Sequence, residues 1–182
     1  MGDALAYNCN GEKIMNNRQQ AASPWVARAI WAQVALLVYF ELSEWVNVFP
    51  WNDIRKGNGQ EGLDIGLGIF TMLAILATWK RWRWAIWVAS AFHAIWLGLQ
   101  IQTWWWNYVF GASPAWKKTW ARVFSQTTRI LPVVGDHLPP DACHFVLQLL
   151  ILAALIACVA AAWSLHPRAP ILEQERLRAG SS

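Results

Sequence analysis

The chain has 182 residues, of which 56% are hydrophobic and only 14% are charged, and its mean hydropathy is +0.24. A soluble domain normally carries charge on about a quarter of its residues, so this composition disfavours a soluble domain and indicates membrane-spanning helices. The formal net charge of +4 does not indicate a nucleic-acid-binding protein, because the basic residues are scattered through apolar sequence. In that setting they are better explained as topology determinants and as contacts for anionic lipid head groups.

Tryptophan is unusually frequent, at 15 positions. Indole rings are favoured at bilayer surfaces, because one edge is apolar while the N–H needs a polar partner. The three cysteines form no Cys-x-x-Cys pair and no Cys/His spacing typical of zinc, which disfavours a disulfide scaffold. No Walker, His-Glu-x-x-His or Gly-x-Ser-x-Gly motif is present, so no reaction is indicated by a motif.

In chain order, residues 1–24 are polar and show no signal peptide, so we expect an N-terminal segment ahead of an uncleaved first span. Four apolar segments of roughly 18 to 24 residues follow, and about 20 residues cross the hydrocarbon core. The predicted spans are about 25–48, 62–79, 84–106 and 142–163. These segments are apolar nearly all round, whereas helices of a soluble bundle carry a polar face. The predicted fold class is an all-α integral membrane protein, a four-transmembrane-helix bundle over residues 25–166 with a cytoplasmic tail at 167–182.

The turn between the second and third spans, WKRWRW at residues 79–84, contains Lys80, Arg81 and Arg83. Because basic residues are enriched in cytoplasmic loops, we predict that this turn and both termini are cytoplasmic, in a bacterial-type inner membrane. The cytoplasmic side then holds nine basic residues and the outer side six, which is a modest bias. The turn contains no Gly or Pro to reverse the chain.

The connection between the third and fourth spans is the longest, and we predict an amphipathic helix in it at about 114–131. Ser113 is its expected N-cap, with Pro114 at the first helical position. Its apolar residues recur at spacings of three and four opposite a basic face, as in helices that lie in the membrane interface. A solvent-facing helix that caps the bundle is the alternative.

The run Trp104–Trp106 is predicted to lie in an outer aromatic belt, and an aromatic pocket for a hydrophobic ligand is the alternative. The other tryptophans assigned to this belt are Trp45, Trp51, Trp116 and Trp120.

Each predicted span has one narrow polar stripe, which we expect to face neighbouring helices rather than lipid. With both termini inside, six polar residues reach a similar depth in the outer half of the bundle. They are Glu41, Glu44, Asp64, Gln100, His144 and Gln148. His93 lies alone nearer the middle and is interpreted as a hydrogen-bonded packing residue. We do not expect a haem, because a bis-histidine haem needs a second histidine at matching depth.

Three uses of this polar cluster remain open from the sequence. The side chains could join helices through hydrogen bonds, or form a ligand, proton or ion site, since ionisable groups inside membranes are costly and often functional. The third use is a metal site, because carboxylates with histidine suit iron, manganese or zinc. Its ligands would be Glu41, Glu44, Asp64 and His144. The chain lacks the paired Glu-x-x-His motifs of di-iron bundles.

Two functional hypotheses follow. The favoured one is a non-catalytic accessory subunit of a membrane complex, which packs against partner helices or a second copy and binds lipid or another hydrophobic ligand. The rival is a small membrane enzyme or proton-coupled carrier that uses the outer carboxylate and histidine cluster. The hypotheses differ in whether these polar side chains converge on one site. Membrane lipids are expected as partners, and nucleic acid is not.

Overall fold

The computed structural model describes residues 23–56 and 61–166. Within these residues the chain is all-helical and forms no β-strand, and four helices are long and apolar enough to span a membrane. The predicted polar segment at 1–24, apart from its last two residues, and the predicted tail at 167–182 lie outside the described residues. The long helices are α1 (Pro24–Trp45), α2 (Glu61–Trp79), α3 (Arg83–Ile101) and α6 (Ala142–Ser164). Two short helices, α4 (Asn107–Phe110) and α5 (Pro114–Val123), lie between α3 and α6.

Helix α1 ends at Trp45 rather than at the predicted residue 48, because Asn52 folds back onto its C-terminus. The Asn52 amide donates to the carbonyl oxygens of Ser43 and Val46, at 2.6 and 2.9 Å. Its side-chain oxygen accepts from the backbone N–H of Val48 at 2.7 Å. The last carbonyls of a helix have no partner within the helix, and here Asn52 satisfies that of Ser43 and that of the C-cap residue Val46.

The turn between α2 and α3 reverses the chain without Gly or Pro by placing Arg81 in the left-handed region, at φ 56°. The backbone N–H of Trp82 donates to Ala77 at 3.0 Å, and that of Arg81 donates to Thr78 at 3.1 Å. This pair of bonds is a Schellman motif, in which the left-handed residue is usually glycine.

The third apolar segment is longer than predicted, since helical structure continues from Arg83 to Phe110. Residues Gln102–Trp106 form a π-helix between α3 and α4. The Asn107 side chain donates to the carbonyl oxygen of Thr103 at 2.6 Å. Helical structure ends where Gly111 takes φ 89°.

Helix α6 packs against both α1 and α3, and α2 packs against α1 and α3. Close approach to α6 is possible because its buried face is built from small residues that are fully buried, among them Ala154, Cys158 and Ala161. At one end of these helices, Ser23 donates to Ser164 at 2.7 Å. Near the other end, Tyr39 donates to the carbonyl oxygen of Cys143 at 2.9 Å.

Helix α5 begins as predicted but ends earlier. Ser113 accepts from the backbone N–H of Trp116 at 3.2 Å, which confirms the N-cap. The helix stops at Val123 rather than near 131. Beyond it, the Thr127 hydroxyl donates to the Phe124 carbonyl at 2.9 Å, and the backbone N–H of Thr128 donates to Pro50 at 2.7 Å. These bonds turn the chain towards the end of α1.

The prediction that Trp104 and Trp120 lie in an outer aromatic belt is wrong, because these residues are only 2% and 7% exposed. The Trp104 ring lies 5.4 Å from Trp116 and 4.9 Å from Phe124, measured between ring centroids. The Trp120 indole donates to the carbonyl oxygen of Pro139 at 3.2 Å. These aromatic residues form a core beneath the long connection because α5 folds over the end of the third apolar segment.

Candidate functional site

A cavity of about 260 Å³ lies where α1, α2 and α6 meet the segments that follow α1 and α5. Its lining combines polar side chains with Trp45 and Phe124. Its titratable carboxyl and imidazole groups are those of Glu44, Asp53, Asp64, Asp141 and His144. Among the described residues, no lysine or arginine lines it.

Asp141 fixes one wall of the cavity. It is the N-cap of α6, and its Oδ1 accepts from the backbone N–H of His144 at 2.8 Å. The same oxygen lies 2.8 Å from His144 Nδ1, and Thr127 donates to Oδ2 at 3.3 Å. A carboxylate facing Nδ1 selects the tautomer with hydrogen on that nitrogen. Nε2 then carries the lone pair, so it is the ring atom that can accept a proton or a hydrogen bond from a ligand.

Aromatic rings hold the imidazole of His144 in place. The Trp104 ring lies 4.4 Å from it and the Phe124 ring 5.5 Å, centroid to centroid. Asp141 and these rings together leave the imidazole little rotational freedom.

Glu44 and Asp64 bring further carboxylates to the same space from α1 and α2. Glu44 lies within electrostatic range of Asp64, His144 and Glu41. Glu44 makes no hydrogen bond to another described residue. Asp64 is buried, with 9% of its surface exposed. Like charges this close oppose simultaneous ionisation, so a proton or a cation between them relieves their repulsion.

Asp53 has its own counter-charge. Arg55 Nε donates to Asp53 Oδ1 at 2.9 Å, with the Asp53 side chain 2% exposed and that of Arg55 67% exposed. This hydrogen bond and the charge of Asp53 raise the pKa of the Arg55 guanidinium. Asp53 is therefore a paired carboxylate at the cavity edge.

Three other predicted cluster residues lie outside the cavity lining. Glu41 accepts from the Trp45 indole at 2.8 Å, and its carboxylate lies so close to Gly68 that a Cβ there would collide with it. Gln148 accepts from the Trp105 indole at 2.8 Å. The Gln100 side-chain oxygen is buried and has no partner among the described residues.

His93 is fully buried and lies apart from the cavity lining. Its Nδ1 is 2.7 Å from the carbonyl oxygen of Ala89, and its ring lies 5.4 Å from that of Phe92. Within the described residues its Nε2 has no partner. The packing role that the sequence indicated for His93 stays a prediction.

The metal hypothesis gains no geometric support. Across residues 23–56 and 61–166, no three His, Cys, Asp or Glu side chains are placed so that they could hold a metal ion. Glu44, Asp64 and His144 share the cavity lining, but Glu41 does not. The four-ligand set of Glu41, Glu44, Asp64 and His144 stays a hypothesis.

Sequence reasoning missed the residues that hold His144, namely Asp141, Thr127, Phe124 and Trp104. One signal was available for Asp141: an aspartate directly before an apolar helix, three residues ahead of His144, is a typical N-cap. The aromatic contacts had no such signal, because Trp104 reaches His144 through tertiary packing. Asp53 was missed for the same reason.

Comparison of the chain with protein-family models, with curated proteins and with solved structures finds no match. The geometry of the cavity offers carboxylates that can hold a positive charge, an oriented imidazole that can exchange a proton, and aromatic surface beside them. Such a set suits the binding of a cation with an apolar portion.

Proposed function

We propose that this chain is an integral membrane protein in which α1, α2, the segment from Arg83 to Phe110, and α6 cross the bilayer as a four-helix bundle. The exposed surface of these helices supports the proposal, because it carries large apolar side chains such as Trp31, Leu63 and Ile95, which are 71%, 59% and 65% exposed. Water disfavours so much apolar surface, whereas lipid does not.

Its function in this proposal is to bind a small organic cation in the cavity near the ends of α1, α2 and α6. The observation that carries it is convergence: Glu44, Asp64 and His144 come from three different helices and line one cavity. Helix-joining hydrogen bonds alone do not account for Glu44, which has no such bond to another described residue.

The lining selects the charge of the ligand. Four carboxyl groups line the cavity, where Arg55 pairs with Asp53 and His144 contacts Asp141, so the lining is rich in acidic groups. An anionic ligand would be repelled, and a purely apolar ligand would leave Glu44 desolvated without a compensating charge. Trp45 and Phe124 offer aromatic surface to the alkyl groups of an amine. If Glu44 and Asp64 take up protons when the cation leaves, binding of the cation is coupled to release of protons, as in a proton-coupled carrier.

The test uses tetramethylammonium chloride as the probe and the thermal unfolding of the protein in mild detergent as the readout. Saturating probe is expected to raise the midpoint of unfolding above that in equimolar sodium chloride, since a ligand at about 100 times its Kd adds about 2.7 kcal/mol. Glu44→Gln is expected to abolish the shift. Asp136→Asn is the control, because it removes a carboxylate that lies outside the cavity lining and pairs with Lys117. Equal responses from the two variants, or no response from the wild type, would overturn the proposal.

An accessory subunit is the second candidate, and one observation favours it. A Cβ added at Gly62 or Gly66 of α2 would meet nothing within 4 Å, so this Gly-x-x-x-Gly pair packs against no part of the described chain. Such pairs let a second helix approach closely. If a partner helix packs against this glycine pair, Gly66→Leu should disrupt that contact. The complex recovered in mild detergent should then have a lower mass than that of the wild type. Gly98→Leu on α3 is the control, because Gly98 is equally open.

A further inference from the structure

Residues 79–84, which join α2 to α3, form an exposed surface of alternating tryptophan and basic residues that we term the basic–aromatic turn. Trp79, Trp82 and Trp84 are 63%, 53% and 70% exposed. Large aromatic side chains are normally buried, so three exposed indoles within six residues indicate a surface that is covered by something else. The cavity lies at the other end of α2 and takes no part in this surface.

No Asp or Glu occurs between Asp64 and Asp136, so Lys80 and Arg83 have no acidic residue near them in the sequence. The Lys80 ammonium lies 4.6 Å from the centre of the Trp79 ring, which orients it at the surface. The Arg83 Nε is buried and has no hydrogen-bond partner among the described residues. The Arg83 residue as a whole is partly exposed, so its guanidinium can meet an acceptor outside the protein.

The N-terminus of α3 contributes to the same place. Its N-cap, Trp82, offers no side-chain acceptor, and the first turn of α3 contains no acidic residue. The first N–H groups of a helix lack partners within the helix and carry partial positive charge, which suits a phosphate. Lys80, Arg83 and these N–H groups therefore present donors of one sign without a carboxylate from the surrounding sequence.

We infer that the basic–aromatic turn binds the phosphate of an anionic phospholipid, with Lys80, Arg83 and the N-terminus of α3 as donors and the three tryptophans seated among the lipid head groups. The exposed indoles favour a lipid over free phosphate, because a soluble anion would leave that aromatic surface in water. This inference rests on the proposed membrane insertion but not on the proposed cation site.

The test is native mass spectrometry of the protein in mild detergent with equimolar phosphatidylglycerol and phosphatidylcholine. The wild type is expected to retain phosphatidylglycerol in preference. In the double variant Lys80→Gln, Arg83→Gln, the ratio of bound phosphatidylglycerol to bound phosphatidylcholine is expected to fall about tenfold. Each basic residue near a lipid surface contributes to anionic lipid binding. The matched control, Lys118→Gln with Arg122→Gln, removes two exposed charges from α5 and should keep the preference.

Equal losses in the two double variants, or no preference in the wild type, would overturn the inference. Displacement of the retained phosphatidylglycerol by excess sodium phosphate would also overturn it, because the site would then bind any phosphate. If the glutamine variant does not fold, the charge-preserving pair Lys80→Arg, Arg83→Lys replaces it and must keep the preference. Alkaline carbonate extraction separates the two proposals: a chain released from membranes contradicts the bundle, whereas a retained chain without lipid preference contradicts only this inference.

Discussion

At the residue scale, Asp141 joins the stability of α6 to the geometry of the cavity. One of its oxygens caps the helix and faces the His144 ring, and the other accepts from Thr127. The side chain is 3% exposed, so these bonds are shielded from water. Removing the carboxylate therefore leaves the backbone N–H and the Nδ1–H of His144 without an acceptor, whereas the Thr127 hydroxyl keeps the Phe124 carbonyl.

We expect Asp141→Ala to lower the free energy of unfolding by about 2–3 kcal/mol, because it removes an N-cap and leaves buried donors unsatisfied. Asp141→Asn keeps a good N-cap and should cost about 1 kcal/mol. Unfolding of the detergent-solubilised protein in increasing SDS measures both. Equal losses for the two variants would show that the cap does not explain the effect.

Lys117 and Asp136 form an exposed ion pair outside the long helices, with Lys117 Nζ 2.6 Å from Asp136 Oδ1. The hydrogen bond and charge of Lys117 lower the pKa of Asp136. A depressed carboxyl pKa stabilises the fold at pH values above the unfolded pKa of about 3.9, and this contribution disappears as the pH falls through the folded pKa. The contribution is small because both side chains face solvent.

The pKa of Asp136 is expected to rise towards its ordinary value in Lys117→Met. Carboxyl-carbon NMR of ¹³C-labelled protein across acidic pH measures it directly. High salt should narrow the difference between wild type and variant, since an exposed pair is screened. Identical titration curves in low salt would contradict the assignment. Lys118→Met is the control, because Lys118 is exposed on the same helix and is not the Asp136 partner.

At the element scale, the α2–α3 turn places an L-amino acid where glycine is usual. Arg81 has φ 56°, and this conformation costs an L side chain roughly 1–2 kcal/mol. The sequence contains no turn signal here, so the reversal was predicted only from hydropathy and charge. The Schellman hydrogen bonds show how the reversal is achieved.

Arg81→Gly is expected to be more stable than Arg81→Ala by about 0.5–1 kcal/mol, because relief of the left-handed strain exceeds the extra entropy of glycine in the unfolded chain. Both variants lack the arginine side chain, so the comparison isolates the backbone. Thermal unfolding in detergent measures the difference. An alanine variant as stable as the glycine variant would contradict strain at this position.

The π-helix Gln102–Trp106 changes which tryptophans face α6. Trp104 contacts the His144 ring while its neighbour Trp105 donates to Gln148, so two consecutive residues both reach α6. A regular α-helix separates consecutive side chains by about 100°, and the sequence predicted both indoles to lie in an outer aromatic belt because tryptophan favours bilayer interfaces. A π-helix is a short, rare feature that helical periodicity does not reveal.

At the scale of the whole molecule, four long apolar helices imply termini on the same side if all four cross the bilayer. The basic turn at residues 79–84 is the strongest signal for which side that is. Charge near the ends of spans sets orientation more than charge far from them does. The predicted topology therefore depends on Lys80, Arg81 and Arg83.

Reporters fused to the N-terminus and to the C-terminus are both expected to be active in the cytoplasm. A fusion placed after Gly135, in the long connection, is expected to be active on the outer side. Neutralising the three basic residues of the turn should shift part of the population to the opposite orientation, since the remaining bias is weak. Termini on opposite sides would contradict the four-span proposal.

The amino-acid sequence by itself determined the helical class and the approximate positions of the four long helices, because long apolar segments are local properties of the chain. It also indicated the Ser113 cap, and it predicted a similar depth for Glu44, Asp64 and His144. Only the tertiary structure decided that these three line one cavity while Glu41 and Gln148 turn to tryptophan partners. Side-chain direction depends on how helices rotate and pack against one another, and no local sequence pattern records that rotation.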